Sequence, residues 1–223
     1  MLTAYQAASS VRQARKYGCI LAPKHFAFND TEINRTGIAV FMTEQKAREG
    51  ELRANQSIVE DAGALGMMTG FNRIGVVAVN AHTGLLMNIL RKEWGFKGVL
   101  SQDFIMDTEY QNLPASAHNG VTMLTSTGND SLDAVSRKWP EWNLKNVSKD
   151  AQLMSDLKRN MTWQNYAYAN SNVMDGLDAK SHLETIRTWY DKVLMWSTAG
   201  TALLTLLSLV MYVVSRRRYY RSI

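Results

Sequence analysis

The chain has 223 residues, of which 46% are hydrophobic and 20% charged, values that suit one globular domain and exclude most two-domain enzymes. Its net charge of +5 depends largely on Arg216, Arg217, Arg218 and Arg221, which lie in one terminal tail. Nucleic-acid binding, which needs cations spread over a folded face, is therefore excluded. The single cysteine, Cys19, excludes an internal disulfide and a cysteine-rich metal site, and its apolar neighbours predict that it is buried.

Helical and short apolar segments alternate along most of the chain, as they do in βα units that build a parallel sheet. In chain order the pattern predicts helix 3–17, strand 19–23, helix 44–60, strand 64–69, helix 85–92, strand 98–101 and strand 120–124. Thr43 stands where the N-cap residue of the second helix belongs.

An irregular polar stretch, residues 129–149, separates these units from a further helix over 150–170. That helix carries apolar residues at helical spacing, so we expect it to pack back onto the domain through Leu153, Met154, Leu157, Met161 and Tyr166. The predicted fold class is α/β, a partial (β/α)8 TIM-barrel-like domain of about four βα units, where a closed barrel has eight. Because four parallel strands alone leave open edges, we expect the chain to be part of a larger fold.

Residues 193–214 contain no charged residue and are long enough to cross a hydrocarbon core of about 30 Å. Aromatic residues stand at both boundaries, and the arginines of the tail follow at once. The pattern predicts a transmembrane helix over 193–214 and a basic cytoplasmic tail over 215–223. The chain would then be a single-pass protein of the cell membrane, with the lipid bilayer as a partner and its soluble part extracytoplasmic. The soluble part divides into the partial barrel, residues 1–130, and residues 131–185, which hold the irregular segment, packing helix and juxtamembrane linker.

Asp103 ends the short apolar run that follows the turn at Gly95. In a βα-barrel the C-terminal ends of the strands meet on one face, where catalytic groups collect, so Asp103 is a candidate nucleophile or general base. An aspartate at this position also suits the N-cap of a following helix. The spacing alone leaves both interpretations open.

Four stretches stand out in chain order: Lys24–Arg35 (KHFAFNDTEINR), Gly66–Arg73 (GMMTGFNR), Leu90–Gly98 (LRKEWGFKG) and Asp103. Together they closely resemble glycoside hydrolase family 3, the family of β-glucosidases and β-xylosidases. The resemblance implies a retaining glycosidase that acts on a β-linked glycoside or oligosaccharide and uses no metal and no organic cofactor.

The resemblance also implies roles for single residues. Asp103 matches the catalytic nucleophile of the family. Lys24 and His25 match residues that hydrogen-bond the hydroxyl groups of the sugar. Met68 and Phe71 match the pair that packs beside the nucleophile on the substrate side.

Other polar residues in these stretches match no catalytic position. Glu32 and Arg35 are expected to brace the loop after Lys24 as an ion pair rather than to touch substrate. His82, His118 and His182 match nothing functional and are interpreted as surface or loop residues.

Two departures from the family pattern lie close to Asp103. Gln102 stands where many relatives carry serine or threonine, and Phe71 replaces a tyrosine whose hydroxyl could orient the nucleophile. Retaining hydrolysis also needs an acid/base carboxyl about 5–5.5 Å from the nucleophile, and no motif in this sequence matches that group.

We therefore predict the C-terminal part of a longer, membrane-anchored β-glucosidase-like hydrolase that is inactive as an isolated chain. The alternative is a non-catalytic, membrane-tethered remnant that binds sugar weakly. A membrane scaffold for partner proteins is a third interpretation, but it leaves four ordered motifs without an explanation.

Overall fold

The computed structural model describes residues 2–103, 111–124, 144–175, 180–182 and 184–221. Contacts divide the chain into two compact units, Met1–Gly176 and Leu177–Ile223. Most of the predicted irregular stretch lies outside the described residues; near its end, α5 (Leu144–Val147) forms a short helix.

Helix α1 (Leu2–Lys16) confirms the first predicted helix. It ends at Gly18, whose φ of 70° is the left-handed conformation that glycine adopts without strain. The N–H groups of Gly18 and Cys19 donate to carbonyls of the last helical turn, which is the Schellman arrangement. The prediction that Cys19 is buried is wrong, because this residue completes the helix cap at the surface and its side chain is exposed.

The second predicted helix is divided in two at Gly50. Thr43 caps it as predicted, since its hydroxyl accepts a hydrogen bond from the Lys46 N–H at 3.2 Å. Helix α2 (Glu44–Glu49) then ends at Gly50, whose φ of −94° and ψ of −113° are not helical, and α3 (Glu51–Glu60) begins at the next residue.

The third predicted helix forms as a π-helix over Gly84–Glu93. A small sheet precedes it in the chain, with the order β1 (Ala39–Val40), β3 (Arg73–Ile74), β4 (Val77–Ala78). The first two strands of this sheet pair in parallel and the last two antiparallel.

Two of the predicted strands form the centre of the parallel sheet. β2 (Gly66–Met68) and β5 (Val99–Ser101) pair in parallel along their whole length, with Met67 opposite Leu100. Met67 and Leu100 are fully buried, together with Leu86 and Leu90 of the π-helix. The hydrophobic core therefore contains side chains of both strands and of the π-helix that connects them.

A single parallel bridge extends this sheet on each side. Phe26 bridges to Thr69 on one edge, and Met123 bridges to Ser101 on the other. The first predicted strand, 19–23, is therefore wrong in position, since pairing begins at its last residue and continues to Phe26. Four parallel segments follow one another across the sheet in sequence order, as the predicted succession of βα units requires.

Helix α6 (Ala151–Ala169) confirms the predicted helix, and its N-cap Asp150 accepts a hydrogen bond from the Leu153 N–H at 2.9 Å. The predicted packing face is only partly correct. Leu153 is buried, but Met161 and Tyr166 are exposed.

Polar residues of α6 are buried in place of those two. The Asn160 amide donates to the carbonyls of Ala117 and Val121 at 2.8 and 3.1 Å, at the end of α4 (Leu113–His118) and in the turn that follows it. Those carbonyls have no further helical turn to bond to, so a buried amide satisfies them better than an apolar side chain would.

Helix α7 (Trp189–Arg221) contains the predicted transmembrane segment. It has 33 residues and a mean hydropathy of 1.8 in its most apolar window, and none of that window is buried. Within the described ranges it is the one helix long and apolar enough to cross a membrane.

Arg91, at the end of the π-helix, joins three parts of the first unit. Its guanidinium is buried and donates to the carbonyls of Phe96, Gly98 and Gly120 at 3.1, 2.8 and 2.8 Å. It also lies over the Trp163 ring of α6, 3.9 Å from the ring centroid. Burial, and secondarily the Arg159 guanidinium, lower the pKa of Arg91 to about 9, so the group is still a cation at neutral pH.

Replacing Arg91 with methionine should lower the free energy of unfolding by about 2–4 kcal/mol, because three buried carbonyls lose their donor. The measurement is urea unfolding of the full chain in neutral detergent, followed by tryptophan fluorescence. Arg53→Met is the matched control, since that arginine is exposed and bonds only its helical neighbour Gln56 among the described residues. Equal unfolding midpoints for the two variants would contradict the role given to Arg91.

Candidate functional site

Parallel pairing brings three of the singled-out stretches together at the C-terminal ends of the segments. The Phe26 N–H donates to the Met68 carbonyl at 2.7 Å, and the Gly70 N–H donates to the Phe26 carbonyl at 3.0 Å. On the other side, the Thr69 N–H donates to the Ser101 carbonyl at 2.9 Å, two residues before Asp103. The backbone ladder therefore places the Lys24–Phe26 stretch, the end of β2 and Asp103 side by side.

Asp103 and His25 form the centre of the site. Nε2 of His25 lies 3.0 Å from Oδ2 of Asp103, and Asp103 is only 7% exposed. The imidazole N–H does not point straight at the oxygen, so the contact is mainly electrostatic rather than an ideal hydrogen bond. A nearly buried carboxylate thus faces an imidazole at the strand ends.

Asn29 determines which nitrogen of His25 carries the proton. Its side-chain amide nitrogen lies 3.0 Å from Nδ1 of His25, and as a donor it makes Nδ1 an acceptor. Nε2, which lies 3.0 Å from Asp103, then carries the hydrogen. Burial lowers the pKa of His25 most, the Asp103 carboxylate opposes this, and the cations of Lys24 and Arg35 lower it further. The neutral imidazole is therefore favoured.

Arg35 is a second partner of Asp103. Its Nη1 lies 3.7 Å from Oδ2 of Asp103, and its Nε lies 3.2 Å from Glu32, which confirms the predicted ion pair. The guanidinium also lies over the Phe71 ring, 4.4 Å from the centroid. The spacing of the motif predicted the ion pair but not the approach to Asp103, and the residue before Arg35, Asn34, has a left-handed φ of 56°.

The other predicted substrate contacts surround this centre. Lys24 is exposed, and its charge acts on His25. Phe71 is buried beneath Arg35, and Met68 is half-buried at the end of β2. The structure therefore brings all five predicted site residues to one edge of the sheet.

Gln102, one of the departures from the family pattern, is fully buried. Neither its amide nitrogen nor its amide oxygen has a hydrogen-bond partner within the described part of the chain. The backbone around it is well tied, since its own N–H donates to the Met123 carbonyl at 3.1 Å. The strand end that carries Asp103 is thus held by main-chain bonds.

The loop that carries His25 is also tied to helix α3. Glu51, the first residue of that helix, accepts a hydrogen bond from the Phe28 N–H. Burial raises the pKa of Glu51 to about 7; the bond from Phe28 lowers it and the nearby Asp30 carboxyl raises it. The attachment of this loop therefore involves a carboxyl group that titrates near neutral pH.

Two of the remaining histidines, His82 and His118, have partners other than Asp103, and His182 is exposed. Nδ1 of His82 accepts from the Leu85 N–H at 3.1 Å at the start of the π-helix, and burial lowers the pKa of His82. His118 lies 2.9 Å from the buried Asp156 carboxylate and helps to hold α6. In the described ranges, no three His, Cys, Asp or Glu residues are grouped so that they could hold a metal ion.

The fold and the site define a parallel βα domain with a carboxylate, an imidazole and a guanidinium at its strand ends. The model of the glycosyl hydrolase family 3 N-terminal domain matches residues 1–154, and the chain belongs to that family.

Curated relatives of this chain include enzymes from fungi and bacteria. It is 38% identical over 98 residues to the probable beta-glucosidase K of Emericella nidulans, a match that covers 44% of this chain and 12% of that protein. It is 32% identical over 137 residues to beta-glucosidase A of Butyrivibrio fibrisolvens, covering 61% of this chain and 16% of that enzyme. The chain therefore spans only a small part of the length of these relatives.

Solved structures show the same fold over more than three quarters of the chain. Beta-glucosidase 3B from Thermotoga neapolitana, in complex with glycerol, has a TM-score of 0.66 and 21% identity, covering 77% of this chain and 24% of that chain. The GH3 beta-glucosidase of Bifidobacterium adolescentis has a TM-score of 0.61 and 22% identity, covering 79% and 24%. In these neighbours the matched part belongs to a TIM-barrel-like domain.

The stability of the full chain should fall as the pH rises from about 4.5 to about 7, because in this window folded Glu51 keeps a proton that the unfolded chain has lost. Allowing for solvent screening of a partly buried group, the titration of Glu51 accounts for a loss of about 1–2 kcal/mol in the free energy of unfolding across this pH range. Urea unfolding at several pH values should show a flatter profile for Glu51→Gln. The exposed Glu49→Gln is the control, and an unchanged slope in Glu51→Gln would show that another group is responsible.

Proposed function

We propose that this chain provides the nucleophile side of a retaining β-glycosidase site, with Asp103 as the nucleophile. The observation that carries the proposal is the position of Asp103: a nearly buried carboxylate at the end of β5, in contact with His25 and near Arg35. Membership of glycosyl hydrolase family 3 and β-glucosidase relatives support the reaction class.

The surroundings of Asp103 suit a nucleophilic carboxylate. Arg35 places a cation 3.7 Å from the carboxylate that would attack the anomeric carbon, and the His25 imidazole, whose neutral form is favoured, lies beside it without adding a second cation. The glycosidic bond breaks as the Asp103 ester forms, and water then hydrolyses the ester. Lys24 and His25 provide donors for sugar hydroxyls, while Met68 lies at the edge of the same site.

The acid/base group is not assigned in the described part of this chain. Retaining hydrolysis needs that second carboxyl about 5–5.5 Å from the nucleophile, where it protonates the leaving oxygen. We propose that the complete enzyme supplies this acid/base carboxyl from a residue outside the group around Asp103. A substrate whose leaving group departs without protonation therefore tests Asp103 by itself.

The full chain should be labelled at Asp103 by 2,4-dinitrophenyl 2-deoxy-2-fluoro-β-glucoside or the matching xyloside, since dinitrophenolate needs no acid catalyst. Mass spectrometry of the digested protein should find the fluoroglycosyl group on the peptide that contains Asp103. Asp103→Asn should abolish the label, and the exposed control Asp61→Asn should retain it.

A label on another residue, or a label that persists in Asp103→Asn, would sink the nucleophile assignment. Absence of any label, combined with saturation-transfer NMR evidence that the chain binds glucose, would support the second candidate, a membrane-tethered remnant that binds sugar without cleaving it. The one observation that favours the remnant is that no acid/base carboxyl is assigned in the described part of the chain.

Arg35→Met should slow the labelling of Asp103 about tenfold, because a carboxylate without its cation is less well oriented for attack. The rate constant is read from the labelled fraction against time. Glu32→Gln is the matched control, since it removes the other partner of Arg35 and leaves the contact with Asp103 in place. Equal losses in the two variants would mean that Arg35 only braces its loop.

We further propose that helix α7 crosses the cell membrane and that the first unit lies on the extracytoplasmic side. The length, apolarity and complete exposure of the helix support the span. The arginines after Val214 support a cytoplasmic C-terminus through the positive-inside rule.

A further inference from the structure

The C-terminal turns of α7 gather three of their four arginines on one side of the helix. At 100° per residue, Arg217, Arg218 and Arg221 lie within an arc of about 100° of the helix surface, which we call the arginine face. Arg216 points away from that arc and lies over the Tyr220 ring, 5.7 Å from its centroid. The three guanidinium groups of the arginine face are exposed.

The arginine face has no acidic side chain near it in the sequence. No aspartate or glutamate follows Asp191 in the sequence. A helix C-terminus favours nearby cations, but this effect fades within one turn and does not require several arginines. The three guanidinium groups repel one another at this distance, and anions bound from outside the chain would offset that repulsion.

The kind of cation indicates the kind of anion. Every cation after Lys192 is an arginine. The planar guanidinium fork binds phosphate oxygens in pairs, whereas lysine acts as a point charge. A charge excess that served only membrane orientation could use either residue, so the uniform choice of arginine favours phosphate groups.

The position along the helix indicates where those phosphates are. Residues 193–214 span about 33 Å at 1.5 Å per residue, close to the thickness of the hydrocarbon core. The arginine face then lies about 5–10 Å beyond Val214, at the depth of the headgroup layer, which is roughly 5–8 Å thick. The helix continues without interruption to Arg221, which holds the three side chains in a fixed arrangement.

We propose that the arginine face binds the phosphate groups of anionic phospholipids in the leaflet at the C-terminal end of α7. This inference rests on the proposal that α7 spans a membrane, and it is independent of the proposal about Asp103. Each arginine near an anionic surface strengthens the association by up to about fivefold, and salt weakens it.

The test uses the full chain reconstituted in phosphatidylcholine vesicles with a trace of spin-labelled phosphatidylserine or spin-labelled phosphatidylcholine. Electron paramagnetic resonance measures the fraction of each lipid that is immobilised at the protein. We expect at least about a fivefold preference for phosphatidylserine at low salt. The preference should disappear in Arg217→Gln/Arg218→Gln/Arg221→Gln and be partly restored by lysine at the same three positions.

The matched control is Arg187→Gln/Lys192→Gln, which removes charge at the opposite end of α7 and should leave the preference unchanged. Equal immobilisation of both lipids by the unaltered chain, or a preference that survives the triple glutamine change, would overturn the proposal. Loss of the preference in millimolar inorganic phosphate would show a general anion site and would equally overturn it. If a variant does not incorporate, the single change Arg218→Gln is measured in its place, and a reduced preference is expected.

Alkaline carbonate extraction separates the failure of this inference from the failure of the membrane span. Release of the unaltered chain from the vesicles would show that α7 does not span the bilayer. Retention of the chain without lipid preference would remove the arginine face proposal and leave the span intact. Neither result bears on the labelling of Asp103.

Discussion

The buried guanidinium of Arg91 is the interaction on which the first unit most depends. It donates to carbonyls in the turn before β5 and in the turn before the fourth parallel segment, and it stacks on Trp163 of α6. Asp103 lies two residues after the end of β5, so the position of the candidate nucleophile depends on the contacts that Arg91 makes with the turn before this strand. A methionine or leucine would fill the same volume but would leave three carbonyls without a partner.

In the candidate site, the Asp103 carboxylate has two neighbours, and each of them is held by a further side chain. Asp103 is held between an uncharged imidazole and a fixed guanidinium, and Asn29 and Phe71 in turn hold those two groups. Phe71 has no hydroxyl to orient the carboxylate, yet its ring supports the arginine that approaches it. Phe71 therefore lacks the hydroxyl of the family's tyrosine, but the guanidinium of Arg35 lies between its ring and Asp103.

The two units of the chain follow different physical rules. In the first unit, polar groups are buried with partners, as Asn160 and Arg91 show. In α7 the hydroxyl groups bond to the preceding turn of the same helix, as Thr201 and Thr205 do, and the apolar side chains are left exposed. Such a helix is stable in lipid, where backbone and side-chain polar groups must be satisfied within the segment.

The sequence by itself determined the elements whose signals are local. The cap at Thr43, the two central strands and the long apolar helix all follow from neighbouring residues, since capping and periodicity act over a few positions. The ordered motifs also indicated the five site residues that the structure brings to one edge. The surface position of Cys19 was missed because a Schellman cap extends past the helix into an apolar stretch.

Tertiary structure alone decided the features that depend on residues far apart in the chain. The approach of Arg35 to Asp103 joins positions separated by 68 residues (103 minus 35), and no pattern within either motif predicts it. The packing face of α6 was also decided there, because the Asn160 amide donates to the carbonyls of Ala117 and Val121, about 40 residues away, at a helix position where periodicity favours apolar residues. Hydrogen-bond satisfaction is a property of the assembled core, and periodicity of a single helix does not contain it.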